Sequence, residues 1–171
     1  IDPTSSYAQA AAMAMGRAMD DVIIAAATGT SFTGETGATS TAAQTAIAAG
    51  GAGLTIAKLR TAKQTFDLAS VDPSIPRHII VGPEQITNLL STTEVTSSDF
   101  NTVKALVQGE IDSFLGFKFT VSNRLAKSGN DRTCIAFAQD GITLAIGKDV
   151  SARIDERADK SYATQVYYCQ S

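Results

Sequence analysis

Side chains able to do chemistry are few in this chain, and they are scattered. The single histidine, His78, heads an apolar run, His78-Ile79-Ile80-Val81. A metal centre or a nucleophile–base pair needs further ligands or an activated hydroxyl or thiol at a defined spacing. None is placed around His78, which reads as a structural imidazole near a strand edge. Cys134 and Cys169 are the two cysteines, with no C-x-x-C and no companion histidine cluster. Two buried free thiols in a reducing compartment is the expectation, with a disulfide as the alternative. Asp20-Asp21 and Asp155-Glu156 are adjacent in sequence, so each pair diverges on a helix or a strand. Acid–base catalysis needs carboxyls that converge on one substrate. No Gly-x-Ser-x-Gly elbow presents a serine.

A phosphate cradle is the remaining possibility, at Thr28-Gly29-Thr30 or Gly50-Gly51-Ala52-Gly53. A P-loop requires Gly-Lys-Ser/Thr opening a helix after a buried strand, whereas no lysine follows these glycines until Lys58. The G-x-G of Gly51 and Gly53 lacks its third glycine. The residues therefore point to no catalytic residue, no cofactor, no metal and no enzyme.

One charged run stands apart: Arg153-Ile154-Asp155-Glu156-Arg157-Ala158-Asp159-Lys160. Mixed signs on an exposed strand can be a solvated, protected edge. They can equally set the register between neighbouring copies of one chain. Both readings stay open.

The elements that must position these groups follow from the pattern. With 171 residues, 44% apolar and 18% charged, the chain is one domain or two intimately packed lobes with a real core. Fourteen basic against seventeen acidic residues, net −3 and without a basic block, argue against nucleic-acid binding as the main role. No signal peptide is visible, and the Ile-Asp-Pro start suggests a trimmed piece of a longer protein.

Asp2-Pro3-Thr4-Ser5 reads as a helix start, and the helix runs to about Ala27 with Tyr7, Ala11, Met15, Ala18, Met19, Val22 and Ile23 on one stripe. Its length would span a membrane, but its charges and alanine-rich composition argue against insertion. From 28 to 53 all positions except Phe32, Glu35, Gln44 and Ile47 are Thr, Gly, Ser or Ala, a turn and short-strand composition. Thr55 caps a second helix with Ile56, Leu59, Ala62, Phe66 and Ala69 inward and Lys58, Lys63, Gln64 and Asp67 outward. Val71–Pro76 is extended, His78–Val81 is a strand, and Pro83 opens a helix to about Leu90. This order makes an α/β layer. A polar loop, 91–99, leads to a short helix broken at Gly109. A tight Leu115-Gly116-Phe117 turn then leads into a strand whose core trio is Phe117, Phe119 and Val121. Ala126–Asp131 is a surface turn. Arg132–Phe137 is a strand with Cys134 and Ala136 on the face opposite Ile135 and Phe137. Gln139–Gly141 opens a short helix to about Ile146. Val150–Glu156 and Tyr162–Cys169 form a closing hairpin.

In order along the chain, Gly53–Arg60 resembles an "L-T-x-x-K-L-x-x-A" helix, and Arg77–Leu90 an "R-x-x-x-V-x-P-x-x-x-x-x-L-L" strand and helix. Thr93–Leu125 follows, with its "G-x-I-x-x-x-x-G" turn and "S-N/D-x-L" strand end, and Asp149–Tyr168 resembles a closing hairpin. Together these blocks resemble the major capsid proteins of tailed bacteriophages. The resemblance implies the Hong Kong 97-type capsid fold of class α+β. A long spine helix and hairpin would form a peripheral lobe (1–53 plus 148–171), and an α/β axial lobe would span 54–147. The family's N-terminal arm, extended loop and closing "G-A-x-R" strand are not matched, so the piece is expected to be a monomer or small oligomer in solution. The implied role is a structural coat subunit that self-associates into the hexamers and pentamers of an icosahedral head. Scaffolding and portal proteins are the implied partners, with packaged DNA nearby but not read by sequence, and no membrane. The implied location is the virion, with assembly in the host cytoplasm. Expected subunit-contact residues are Thr93, Glu94, Ser97, Asp99, Lys127, Asn130, Arg153, Asp155 and Arg157. The rival readings are an encapsulin-type shell protein and a small α/β ligand-binding domain.

Overall fold

A computed structural model describes residues 3–42, 45–91, 113–149 and 151–169. Among them the fold is mixed α+β, with three α-helices and four small sheets. The chain divides into two compact units, Ile1–Ile23 with Thr143–Ser171, and Ile24–Ile142.

The larger unit is built on a four-stranded sheet of order β4-β5-β3-β8, comprising Ser113–Phe114, Phe117–Val121, Arg77–Val81 and Ile135–Ala138. Strand β3 runs parallel to β5 and antiparallel to β8, with Ile79 opposite both Phe119 and Ala136. Its alternation puts Ile79 and Val81 into one cluster with Leu54, Ile56, Leu59, Leu89, Phe114 and Phe117. Helices α2 (Ile56–Leu68) and α3 (Pro83–Ser91) supply the cover on that face. Ile80 and Phe137 pack on the other face against a smaller cluster, Ile24, Leu125 and Ile135. Ile24 lies in the last turns of α1 (Pro3–Thr28), a helix about 39 Å long at 1.5 Å per residue.

Local chemistry explains the boundaries. The Thr55 hydroxyl accepts from the Lys58 N–H at 3.4 Å and caps α2 as expected. The same helix ends in a Schellman arrangement: the Val71 N–H reaches Phe66 O and the Ser70 N–H reaches Asp67 O, each at 3.1 Å. Ser70 adopts the left-handed conformation (φ 57°) that glycine usually supplies there. Strands β4 and β5 join through Leu115-Gly116 with φ of 53° and 84°, the double positive φ of a two-residue hairpin turn. The 28–53 segment forms a Thr/Ser hairpin, β1 (Thr30–Thr33) paired with β2 (Thr39–Ala42).

Several expectations need correction. Val121 is 58% exposed, so the β5 core is Phe117 and Phe119 alone; the strand outruns its cover. Tyr7 and Val22 of the expected α1 stripe are exposed as well. Alanine on every side of that helix leaves no face that must be buried. Ala69 is the exposed C-cap of α2 rather than an inward position. Lys58 does not point outward: its ammonium folds back to donate to the carbonyls of Ala49, Ala52 and Gly53 at 2.6, 2.5 and 2.7 Å. The expected strand from Arg132 is two elements. Asp131–Arg132 (β7) pairs with Lys127–Ser128 (β6), and β8 begins only at Ile135. The faces assigned to Ile135, Phe137, Cys134 and Ala136 hold. The helix expected from Gln139 is a single 3-10 turn, Gln139–Gly141, with no helix on to Ile146. The helix expected before Gly109 lies outside the described residues.

The smaller unit contains one hairpin, β9 (Ser151–Arg157) antiparallel to β10 (Ala163–Cys169). Its register sets Arg153 opposite Tyr167, Ile154 opposite Val166 and Asp155 opposite Gln165. Ser161 and Tyr162, both at positive φ (54° and 58°), turn the chain between the strands.

Candidate functional site

Two polar surfaces carry the expected contact residues that fall among those described. The first is built where α3 begins. Pro83 fixes the helix start, and Glu84 in the first turn suits the positive end of the helix. The Lys127 ammonium donates to the Glu84 carboxylate at 3.0 Å, which brings the β6–β7 hairpin against α3. That hydrogen bond, and then the Lys127 charge, hold the Glu84 carboxyl below the usual carboxylate range. Arg132, its side chain only 9% exposed, reaches Glu84 at 3.9 Å through Nε and donates through Nη1 to Asn123 O and Oδ1. Lys127 is therefore engaged within its own chain, and Asn130 stands exposed in the β6–β7 turn.

The second surface is the β9–β10 hairpin. Arg153 and Asp155 are exposed and take part in none of the ion pairs found among the described residues. Arg157 instead grips Asp159 with both Nε (2.9 Å) and Nη2 (2.5 Å), bracing the hairpin tip. Exposed Ile154, Tyr162 and Tyr167 lie on the same hairpin, a feature that sequence reading missed. Alternation marks which way these side chains point, and their exposure among the described residues appears only in the fold. Thr93, Glu94, Ser97 and Asp99 lie outside the described residues.

The groups considered for chemistry are dispersed. His78 sits on a central strand rather than a sheet edge and stacks on Phe137, ring centroids 5.5 Å apart. Cys134 and Cys169 are free and half-buried. Burial pushes the Cys134 thiol up. A hydrogen bond with Tyr167, and secondarily the Lys148 ammonium at 3.6 Å, hold the Cys169 thiol below its ordinary value. A shallow depression of about 420 Å³ is lined by Asp67, Ser70, Val71, Asp72 and Pro73. Both of its carboxylates are engaged: Asp67 by Arg77 at 2.8 Å, and Asp72 by the Ser74 N–H at 2.8 Å. Among the described residues no group of three His, Cys, Asp or Glu could hold a metal ion. No described helix is long and apolar enough to cross a membrane.

What remains among the described residues is built polar surfaces and no group of side chains that could hold a metal ion. All of it, residues 1–171, matches a family model described as phage capsid protein. The chain belongs to the phage capsid protein family. No curated protein and no solved structure matches it. Membership makes this a structural protein of the phage virion, from a non-enzymatic family whose members self-associate into a shell. For such a capsid protein the surfaces that matter are those that meet another subunit.

Proposed function

We propose that this capsid protein has the Hong Kong 97-type fold and is the coat subunit of an icosahedral head enclosing DNA, packed as hexamers and pentamers. On this reading residues 1–53 and 148–171 form the peripheral lobe and 54–147 the axial lobe. Ring contacts within a capsomer are heterologous, closing by rotation. Scaffolding and portal proteins act as partners during assembly in the host cytoplasm. A net charge of −3 suits a wall that lies beside DNA without gripping it by sequence.

The observation that carries the reading is the β9–β10 hairpin. Two seven-residue strands pair only with each other among the described residues, while Ile154, Tyr162 and Tyr167 stay exposed. A lone two-stranded sheet is marginal in water. Its open edges and apolar side chains are what a neighbouring subunit would cover.

The test is electron microscopy of the protein expressed with its neighbouring genes. Closed icosahedral particles whose walls are made of this chain are expected. Persistent small soluble species, with no particles under any assembly condition, would overturn the reading.

A further inference from the structure

The β9 strand carries a charge pattern that is its own complement. Arg153 and Asp155 flank Ile154, and both project from the same face because side chains two apart in a strand share a face. The strand is hydrogen-bonded to β10 on one side only, in a sheet of two strands among the described residues. Residues 153–157 are all exposed.

We propose that β9 pairs edge to edge with β9 of a second copy about a twofold axis through Ile154, giving a four-stranded sheet β10-β9-β9-β10. This pairing rests on the shell reading above and specifies a twofold contact between subunits of that shell. A twofold axis perpendicular to a sheet keeps each face on its own side, so an antiparallel pair of identical strands must be centred on a residue. The charges then choose which residue. Centring on Arg153 sets two guanidiniums against each other. Centring on Asp155 opposes two carboxylates and places Arg157 against Arg153. Centring on Glu156 opposes two glutamates and offers Asp155 only Arg157, whose guanidinium Asp159 already holds. Centring on Ile154 sets Arg153 opposite Asp155 of the second copy, twice over by symmetry, and Ile154 against Ile154, with no like charges opposed. Opposed opposite charges and apolar pairs stabilise a sheet, and like charges directly opposite destabilise it.

The pattern differs from an edge protected by charge. A guarded edge repels every other strand, whereas this one repels its own copy in neighbouring registers and attracts it in one. Arg157 does not compete for Asp155, because its guanidinium is held by Asp159.

Sedimentation velocity of the chain over a range of concentrations tests the pairing. Wild type is expected to reach a dimer whose affinity falls with added salt. Arg153→Asp and Asp155→Arg each replace two attractive pairs by two repulsive ones, and each should weaken dimerisation about tenfold or more. An equimolar mixture of the two variants restores both pairs across a heterodimer. The double variant R153D/D155R restores them within a homodimer, and both should regain wild-type association. Circular dichroism of each variant confirms that the exposed substitutions leave the fold intact. A wild type that stays monomeric at millimolar concentration overturns the proposal. So do single variants that associate like wild type, or a mixture and double variant that both fail to recover. Particle formation by the protein expressed with its neighbouring genes is read separately: particles unaffected by R153D would sink the pairing alone, and absence of particles would sink the shell reading.

Discussion

The four-stranded sheet and the β9–β10 hairpin are written in the same alternating code, yet they end in opposite states. In the sheet, β3 sits between two strands beneath two helices, and Ile79, Val81 and Phe117 are almost wholly buried. In the hairpin, Ile154 and Tyr167 alternate just as regularly and remain about half exposed. Alternation states which way a side chain points; only a covering element makes that direction a core. For the sheet the cover comes from α2 and α3 of the same chain. For the hairpin, Ile154 and Tyr167 stay open among the described residues, and on the proposed shell reading a neighbouring subunit covers them.

Substitutions can break or sharpen that contrast. The largest effect is expected at Phe117, fully buried against Phe66 with ring centroids 5.8 Å apart. Phe117→Ala should cost about 3–5 kcal/mol in denaturant unfolding, whereas Val121→Ala on the same strand should change stability by less than about 0.5 kcal/mol. Equal costs would mean that β5 is covered along its whole length. Next comes Lys58, whose one ammonium gathers three carbonyls of the 49–53 loop. Lys58→Met keeps most of the stem and removes the donor, and a loss of about 1–2 kcal/mol is expected. Faster hydrogen exchange or proteolysis confined to that loop would accompany it.

Ile154→Thr in the hairpin should leave chemical unfolding within about 0.5 kcal/mol of wild type while weakening self-association. A large loss of stability with association intact would place Ile154 in a core of its own chain. The smallest free-energy effect, though a clear difference in rate, is expected at the cysteines. Cys169, whose thiol Tyr167 and Lys148 hold below its ordinary value, should alkylate faster near neutral pH than Cys134, whose thiol burial pushes up. Peptide mapping after a brief iodoacetamide pulse reads the order, and faster labelling of Cys134 would contradict the geometry.

Much of the fold was legible because it is punctuated. Thr55, Pro83 and Leu115-Gly116 mark starts and turns through bonds that their own neighbours complete, and the structure has the boundaries there. The two faces of β8 were legible for the same local reason. The candidate surfaces were less so. Lys127 is expected at a subunit contact, and its partner within the chain, Glu84, lies 43 positions away, where no local pattern points. Helical phase points Lys58 to solvent, although its flexible stem lets the ammonium seek carbonyls that are clustered only once the loop has folded.

By itself, then, the sequence determined most of the described helix and strand segments and a charge alternation on β9 that carries its own complement. These are properties of neighbouring residues, encoded by propensity, capping and side-chain period. The tertiary structure alone decided which alternating strands become core, where Lys58 and Lys127 spend their charges, and that Val121 and Ile154 are left open. Burial and ion pairing depend on elements distant in sequence, and no local pattern specifies which of them arrive.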